Sequence, residues 1–262
     1  MLALYHNAVS TCSQKVRLVL AHKGLDFTSH EIDLVGGGQH DPDYVRLNPN
    51  HVVPTLVHDG AVLIESTLIN EYLEEAFPDN AMMPAEPAGR HAARLWTKLL
   101  DEKVHPATPI VTFAIGPRTL LLQQPAEVLE AQINAMPNPA ARATRRSVLE
   151  LGVKAPEFAA ALKEMLNLLI RMEETLAARQ WLASDNFSLA DAAALPYVLR
   201  LDALAMTPVI SSRPHVADWY HRVRSLPGYD TAVTQWMPAF IAELFRTNGE
   251  AVWADVEPLT HG

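Results

Sequence analysis

The spacing of apolar residues changes period several times within the first 80 positions. Leu2-Ala3-Leu4-Tyr5 reads as a strand, and Ser13 to Lys23 reads as a helix with Val16, Val19 and Leu20 in one apolar stripe, closed by Gly24. Thr28 to Leu34 alternates as a second strand. After a Gly36-Gly37-Gly38 loop and a short helix near Tyr44, the segments Thr55 to His58 and Val62 to Ile64 flank Asp59-Gly60. That dipeptide signals a two-residue hairpin, because both positions of such a turn need positive φ. Ser66 to Phe77 then places Leu68, Ile69, Tyr72, Leu73 and Ala76 on one side of a helix. The predicted order is β-α-β-α-β-β-α, and its β-α-β start favours a parallel strand pair with a right-handed crossover.

Beyond residue 78 the pattern is different. Pro78 to Gly89 holds three prolines and little periodicity, which reads as a linker. Helical periodicity follows over Arg90 to about Val104, Phe158 to Arg179, Leu189 to Leu204, Pro214 to Ser225 and about Thr231 to Phe245. Ser188-Leu189-Ala190-Asp191 ahead of an apolar run fits a capping box, in which each side chain accepts a hydrogen bond from the other residue's backbone N–H. The stretch from Ile115 to Pro156, with Pro117, Pro125, Pro137 and Pro139, is the least regular and is expected to form a helix-loop insertion. The fold class expected is therefore an α/β domain over residues 1–78, a linker over 79–89 and an all-α domain over 90–262.

Composition narrows the function. The 262 residues are 49% hydrophobic and 19% charged, as in globular proteins, and no run of 18 apolar residues is present to span a bilayer. The chain starts on a strand, with no basic flank and apolar core of a secretory signal, so a cytoplasmic location is expected. A single cysteine excludes an intramolecular disulfide and a multi-cysteine zinc site. A net charge of −9 argues against nucleic acid, whose binding rests on clustered Lys and Arg; the basic run Arg142 to Arg146 reads as a solvated helix face. No metal site is expected: His215 and His221 are six residues apart and share no helix face, while His51 and His58 fall on different elements. The three glycines lack the spacing of a phosphate loop.

A set of short motifs carries the chemistry. Ser10-Thr11-Cys12-Ser13 opens the first helix, Asn48-Pro49 precedes Val53-Pro54-Thr55-Leu56, Glu65-Ser66 opens another helix, and Phe187-Ser188-Leu189-Ala190-Asp191 lies in the helical half. In this order they resemble the cytosolic glutathione transferase family over essentially the whole chain, which implies a thioredoxin-like domain followed by an all-helical one. Leu4-Tyr5 followed by Ser10-Thr11-Cys12-Ser13 resembles the zeta class, which has Ser-Ser-Cys at this place. The run from Glu65 to Glu74, followed by Phe77-Pro78, together with Met136-Pro137 and Gly152-Val153, is more similar to the bacterial aryl-ether-cleaving (beta-etherase-like) transferases.

The resemblance implies glutathione as cosubstrate. Its thiol, like free cysteine with a pKa of about 8.5, is mostly protonated at neutral pH. Lowering that pKa by about two units means favouring the thiolate by roughly 2.7 kcal/mol. One hydroxyl hydrogen bond to the anion supplies about 1.5 to 3 kcal/mol and a helix N-terminus about 0.3 to 1 more. Ser10 is placed for this; otherwise it simply caps the helix. Cys12 is the rival, since beta- and omega-type relatives use a cysteine at this helix start to form a mixed disulfide, although a lone helical cysteine is more often packing. Ser13 ranks third.

Val53-Pro54 resembles the family's cis-proline turn, which would offer the Val53 backbone to the cysteinyl part of the peptide as an added strand does. Glu65 and Ser66 would meet the γ-glutamyl end, the first pairing with its ammonium and the second donating to its carboxylate. The family often has Gln where Val52 stands, and His51 is the substitute expected at the glycyl carboxylate. Trp96, Leu100, His105 and Phe113 are candidates to line a pocket for a small hydrophobic electrophile, with core packing as their other role. Four functions stay open: ether cleavage, zeta-like isomerisation of a maleyl compound, thiol transfer through Cys12, and a non-catalytic interaction module that keeps the fold. The resemblance also implies a homodimer.

Overall fold

A computed structural model describes residues 1–261. Four strands form one mixed sheet in the order β2-β1-β3-β4, comprising β1 (Leu2–His6), β2 (Thr28–Glu31), β3 (Thr55–His58) and β4 (Ala61–Ile64). β1 and β2 are parallel, whereas β3 runs antiparallel to both β1 and β4. Asp59 and Gly60 both take positive φ, 49° and 88°, as the hairpin signal required. Helices α1 (Thr11–Lys23) and α3 (Ser66–Ala76) pack together, burying Val16, Val19, Leu20, Ile69 and Leu73. Leu68, expected on the same side, is 62% exposed. Between β2 and β3 lies α2 (Pro42–Leu47).

Three departures from the sequence pattern have local causes. β2 stops at Glu31 rather than Leu34, because the Asp33 carboxylate accepts from the backbone N–H groups of Val35 and Gly36 at 3.0 and 2.9 Å and bends the chain away. A Cβ at Gly36 would lie 2.4 Å from Asp33 Oδ2, so a larger residue there would have to displace this carboxylate. The expected linker is held down: buried Lys23 pairs with Glu74 at 2.7 Å and donates to the Phe77 carbonyl at 2.8 Å, while Glu74 accepts from the N–H of Met82 and of Met83. The first long helix begins at Pro87 and continues to Ile115 as α4 (Pro87–Leu99), a π turn (Leu100–Val104) and α5 (His105–Ile115). Pro106 and Pro109 cannot donate within the ladder, and the wider π turn lies just ahead of them.

The segment from Ile115 to Pro156 is more helical than its prolines suggested. It contains α6 (Arg118–Leu121), α7 (Ala126–Asn134) and α8 (Pro139–Leu151), ahead of α9 (Pro156–Leu176). Pro117, Pro125, Pro139 and Pro156 sit at helix starts, where a missing N–H costs nothing. Leu121, Ile133 and Leu149 form a small core there with Phe113 and Leu129. Arg142 to Arg146 is a solvated face only in part, with the Arg146 side chain 40% exposed and Arg145 covered. Arg142 donates to the Met136 carbonyl at 2.7 Å, Arg145 lies over the Phe113 ring at 3.2 Å, and Arg146 pairs with Glu130 at 2.8 Å.

Helices α10 (Leu189–Ala203), α11 (Thr207–Ser211), α12 (Pro214–Arg224) and α13 (Tyr229–Ala232) follow. The helix expected near Thr231 to Phe245 is instead α14 (Ala239–Val256), because Pro238 interrupts the earlier register. The chain forms two compact units, one of residues 1–98, 179–196 and 220–238, the other of residues 99–178, 197–219 and 239–262. Among the described residues no helix is long and apolar enough to cross a membrane.

Candidate functional site

Three loops meet at one end of the sheet. Tyr5 of β1 pairs with Thr55 of β3, and Thr55 pairs with Ile64 of β4. Since β3 is antiparallel to both, the chain leaving β1, entering β3 and leaving β4 lies at the same edge. Those three stretches carry Ser10, Val53-Pro54 and Glu65-Ser66.

The first loop is fixed by its own polar groups. Asn7 Nδ2 donates to the Ile32 carbonyl at 3.0 Å, and Asn7 Oδ1 accepts from the Val9 N–H at 3.1 Å. Ser10 is the N-cap of α1, with Oγ accepting from the Ser13 N–H at 3.3 Å. Ser10 and Cys12 are half-buried, while Ser13 is fully buried with its hydroxyl accepting from the Asn7 N–H at 3.2 Å. Ser13 thus serves the loop from inside.

The second loop is built on Asn48 and Tyr44. Both donate to the Val52 carbonyl, at 2.9 and 2.6 Å, and both reach Thr55 Oγ1. The Val53-Pro54 bond is cis, and both residues are buried. His51 lies in the left-handed region at φ 57° with Nδ1 3.0 Å from His40 Nδ1, and His40 Nε2 is 3.1 Å from Gln39 Nε2. With the Gln39 amide assigned as donor, His40 Nδ1–H donates to His51, and His51 carries its proton on Nε2. Burial first, and His51 second, hold His40 below its ordinary pKa.

In the third loop, Glu65 adopts φ 67°, a conformation uncommon for a non-glycine residue and concentrated at functional sites. Its Oε1 accepts from Asn50 Nδ2 at 3.1 Å, which ties the second loop to the third. Ser66, the first residue of α3, is nearly buried.

The four electrophile-pocket candidates pack within their own units. The Trp96 indole donates to the Leu182 carbonyl at 3.1 Å, and Leu100 is fully buried in the π turn. His105 faces the Tyr197 ring edgewise, and Phe113 lies beneath Arg145.

Sequence reasoning missed Asn7, Arg17, His40 and Asn50. His40 sits beside the glycine loop, and its role depends on a partner 11 residues away. Arg17 is 1% exposed on the buried side of α1 and contacts His6. Because Arg17 can only donate, His6 Nδ1 accepts from it, and Nε2–H of His6 donates to Ser29 Oγ at 2.8 Å. Burial, then the charges of Arg17 and His30, push His6 from 6.5 down to about 4. The unfolded chain therefore binds the extra proton first, and stability is lost as pH falls from 6.5 toward 4. A shift of that size corresponds to about 3 kcal/mol. Urea unfolding at pH 7 and pH 4.5 should show this loss in the native protein and a smaller one in His6→Gln; equal slopes would assign the effect to another group.

Comparison with known proteins identifies the family. The family models described as glutathione S-transferase N-terminal domain and C-terminal domain match residues 9–76 and 122–227. Protein LigF of Sphingobium sp. strain SYK-6 is 33% identical over 193 residues, covering 72% of this chain and 75% of LigF. The crystal structure of the β-etherase LigF superposes with a TM-score of 0.80 at 28% identity, covering 88% of this chain and 98% of that one. A maleylacetoacetate isomerase of Pseudomonas aeruginosa is 42% identical over 106 residues, which is 39% of this chain and 50% of the isomerase. The chain belongs to the glutathione S-transferase family.

Proposed function

We propose that the chain binds glutathione at the three-loop end of the sheet, with the Ser10 hydroxyl donating to the thiolate, and directs that thiolate at an aryl ether. The observation that carries this reading is the convergence of Ser10, the cis Val53-Pro54 turn and the strained Glu65 on one sheet edge. The Val53 backbone pairs with the cysteinyl unit as an added strand. Glu65, already oriented by Asn50, pairs with the γ-glutamyl ammonium, while Ser66 and the first N–H groups of α3 meet its carboxylate. His51 Nε2–H, set by the His40 contact, donates to the glycyl carboxylate in place of a residue at Val52.

The β-etherase relative supports the choice of reaction. The thiolate attacks the carbon bearing the ether oxygen; a C–S bond forms, the C–O bond breaks, and the aryl oxygen leaves as a phenolate. The isomerase relative supports a second reading, in which the thiolate adds to a conjugated maleyl double bond, the resulting single bond rotates, and glutathione is eliminated unconsumed.

The test is a pH titration of thiolate absorbance for glutathione bound to the protein. A midpoint well below that of free glutathione, with turnover of aryl ethers, supports the first reading; turnover of maleyl isomers alone supports the second. Binding with an unshifted midpoint would move the chemistry to thiol exchange at Cys12. No binding at all would leave the interaction module.

A further inference from the structure

We propose that Arg17 is the positioning residue of the thiolate site: its buried guanidinium clamps the loop that presents Ser10 and places a fixed positive charge behind it. The inference rests on the reading that Ser10 holds the glutathione thiolate.

Arg17 spends its fork almost wholly on backbone. Nη1 donates to the Asn7 carbonyl at 3.0 Å and to His6 Nδ1 at 2.9 Å, Nη2 to the Ala8 carbonyl at 2.8 Å, and Nε to the Ala232 carbonyl at 2.8 Å. One side chain on α1 thereby holds two consecutive carbonyls of the 7–10 loop and the end of α13. The same loop is held from other directions by Ser13 Oγ and by the Asn7 side chain. Ser10 follows two residues after the second clamped carbonyl, so its hydroxyl inherits the fixed backbone. The indole ring of Trp236 lies 5.2 Å from the guanidinium carbon and closes the remaining face.

The charge is the second half of the argument. Among the described residues no carboxylate lies within ion-pair distance of Arg17; Glu31 on β2 acts on it only through space. The other titratable neighbour, His6 on β1, is neutral above about pH 4. Burial lowers the Arg17 pKa to about 9, which leaves the group charged at neutral pH. A buried cation without a counter-ion is costly, and neutral carbonyls offset only part of that cost. Enclosed by these carbonyls and the indole, the guanidinium acts through space, and a fixed cation behind the loop favours an anion over a neutral thiol at Ser10. Arginine suits the role because its planar fork reaches several acceptors at once, which the single ammonium of lysine does not.

The experiment titrates bound glutathione in Arg17→Lys and Arg17→Met, with glutathione affinity and circular dichroism measured alongside. His51, Val53, Glu65 and Ser66 are untouched in both, so affinity should stay within a few fold. The thiol midpoint should rise by about one unit in Arg17→Met, a tenfold loss of thiolate fraction on the low-pH side, and by a smaller step in Arg17→Lys. A folded Arg17→Met protein with the native midpoint would overturn the proposal. Where Arg17→Met does not fold, Arg17→Lys decides: a raised midpoint supports the clamp, and a native midpoint overturns it. A native protein that shows no lowered midpoint at all defeats the Ser10 reading itself, before any Arg17 variant is compared.

Discussion

Replacing Asp191 by alanine is expected to destabilise the protein by about 2 to 6 kcal/mol, since two buried N–H donors lose their acceptor and each costs about 1 to 3 kcal/mol. Asp191 is fully buried in the first turn of α10. Its Oδ2 accepts from the Ser188 N–H at 3.0 Å and from the Ser188 hydroxyl at 2.7 Å, while Oδ1 accepts from the Leu182 N–H at 2.9 Å. The predicted capping box is present in its aspartate half, since the carboxylate does take the Ser188 N–H. The Ser188 hydroxyl, however, donates to that carboxylate. The same carboxylate also fastens residue 182, nine positions upstream, which no capping rule foresees. Alanine strands two buried N–H groups and removes a negative charge from a helix N-terminus, where it is favoured. Asparagine keeps the volume but presents an amide NH2 to one of the donors, so Asp191→Asn should lose about 1.5 to 3 kcal/mol. Urea midpoints of the two variants check this, and a loss below about 1 kcal/mol for Asp191→Ala would show that the network relaxes.

The elements legible in the sequence are those whose signals are local. Asp59-Gly60 fixed the hairpin because both residues tolerate positive φ, and Gly24, at φ 68°, closed α1 where the apolar stripe ended. Ser10 was legible as an N-cap, and its side chain does cap α1. Prolines misled in both directions. Those at 117, 125, 139 and 156 start helices, and those at 106 and 109 are carried inside one, because position within a turn decides what a proline does and composition does not record position. The linker looked free because its anchors lie elsewhere: Glu74 takes the Met82 N–H, and the Met82 carbonyl takes the Leu189 N–H from more than 100 residues away. Arg17 was illegible for the same reason. Its acceptors are main-chain carbonyls at 7, 8 and 232, and a carbonyl leaves no mark on residue type. Glu65 could be named from its motif, whereas its positive φ could not.

On the proposed reading, Ser10→Ala should lower kcat/KM at neutral pH by roughly 10- to 150-fold, the equivalent of one hydrogen bond to a charged group at about 1.5 to 3 kcal/mol. The same substitution also removes the cap on the Ser13 N–H, at a cost of about 1 kcal/mol in stability, so alanine alone confounds two effects. Ser10→Gly separates them: glycine is tolerated at an N-cap within a few tenths of a kcal/mol, and it lacks the hydroxyl equally. Both variants should therefore lose the same activity while only alanine loses appreciable stability. The loss should shrink as pH rises, because each unit below the thiol's own pKa changes the thiolate fraction tenfold, and near pH 9 the unassisted thiol of glutathione ionises in solution. A rate that converges on the native value at high pH identifies the missing contribution as thiolate stabilisation. A pH-independent deficit would instead mean that Ser10 orients the peptide. Cys12→Ala is the control, since it leaves the Ser10 hydroxyl and the cap in place. If Cys12→Ala abolishes turnover and Ser10→Gly spares it, the nucleophile is the protein's own sulfur, and the reaction is thiol exchange through a mixed disulfide.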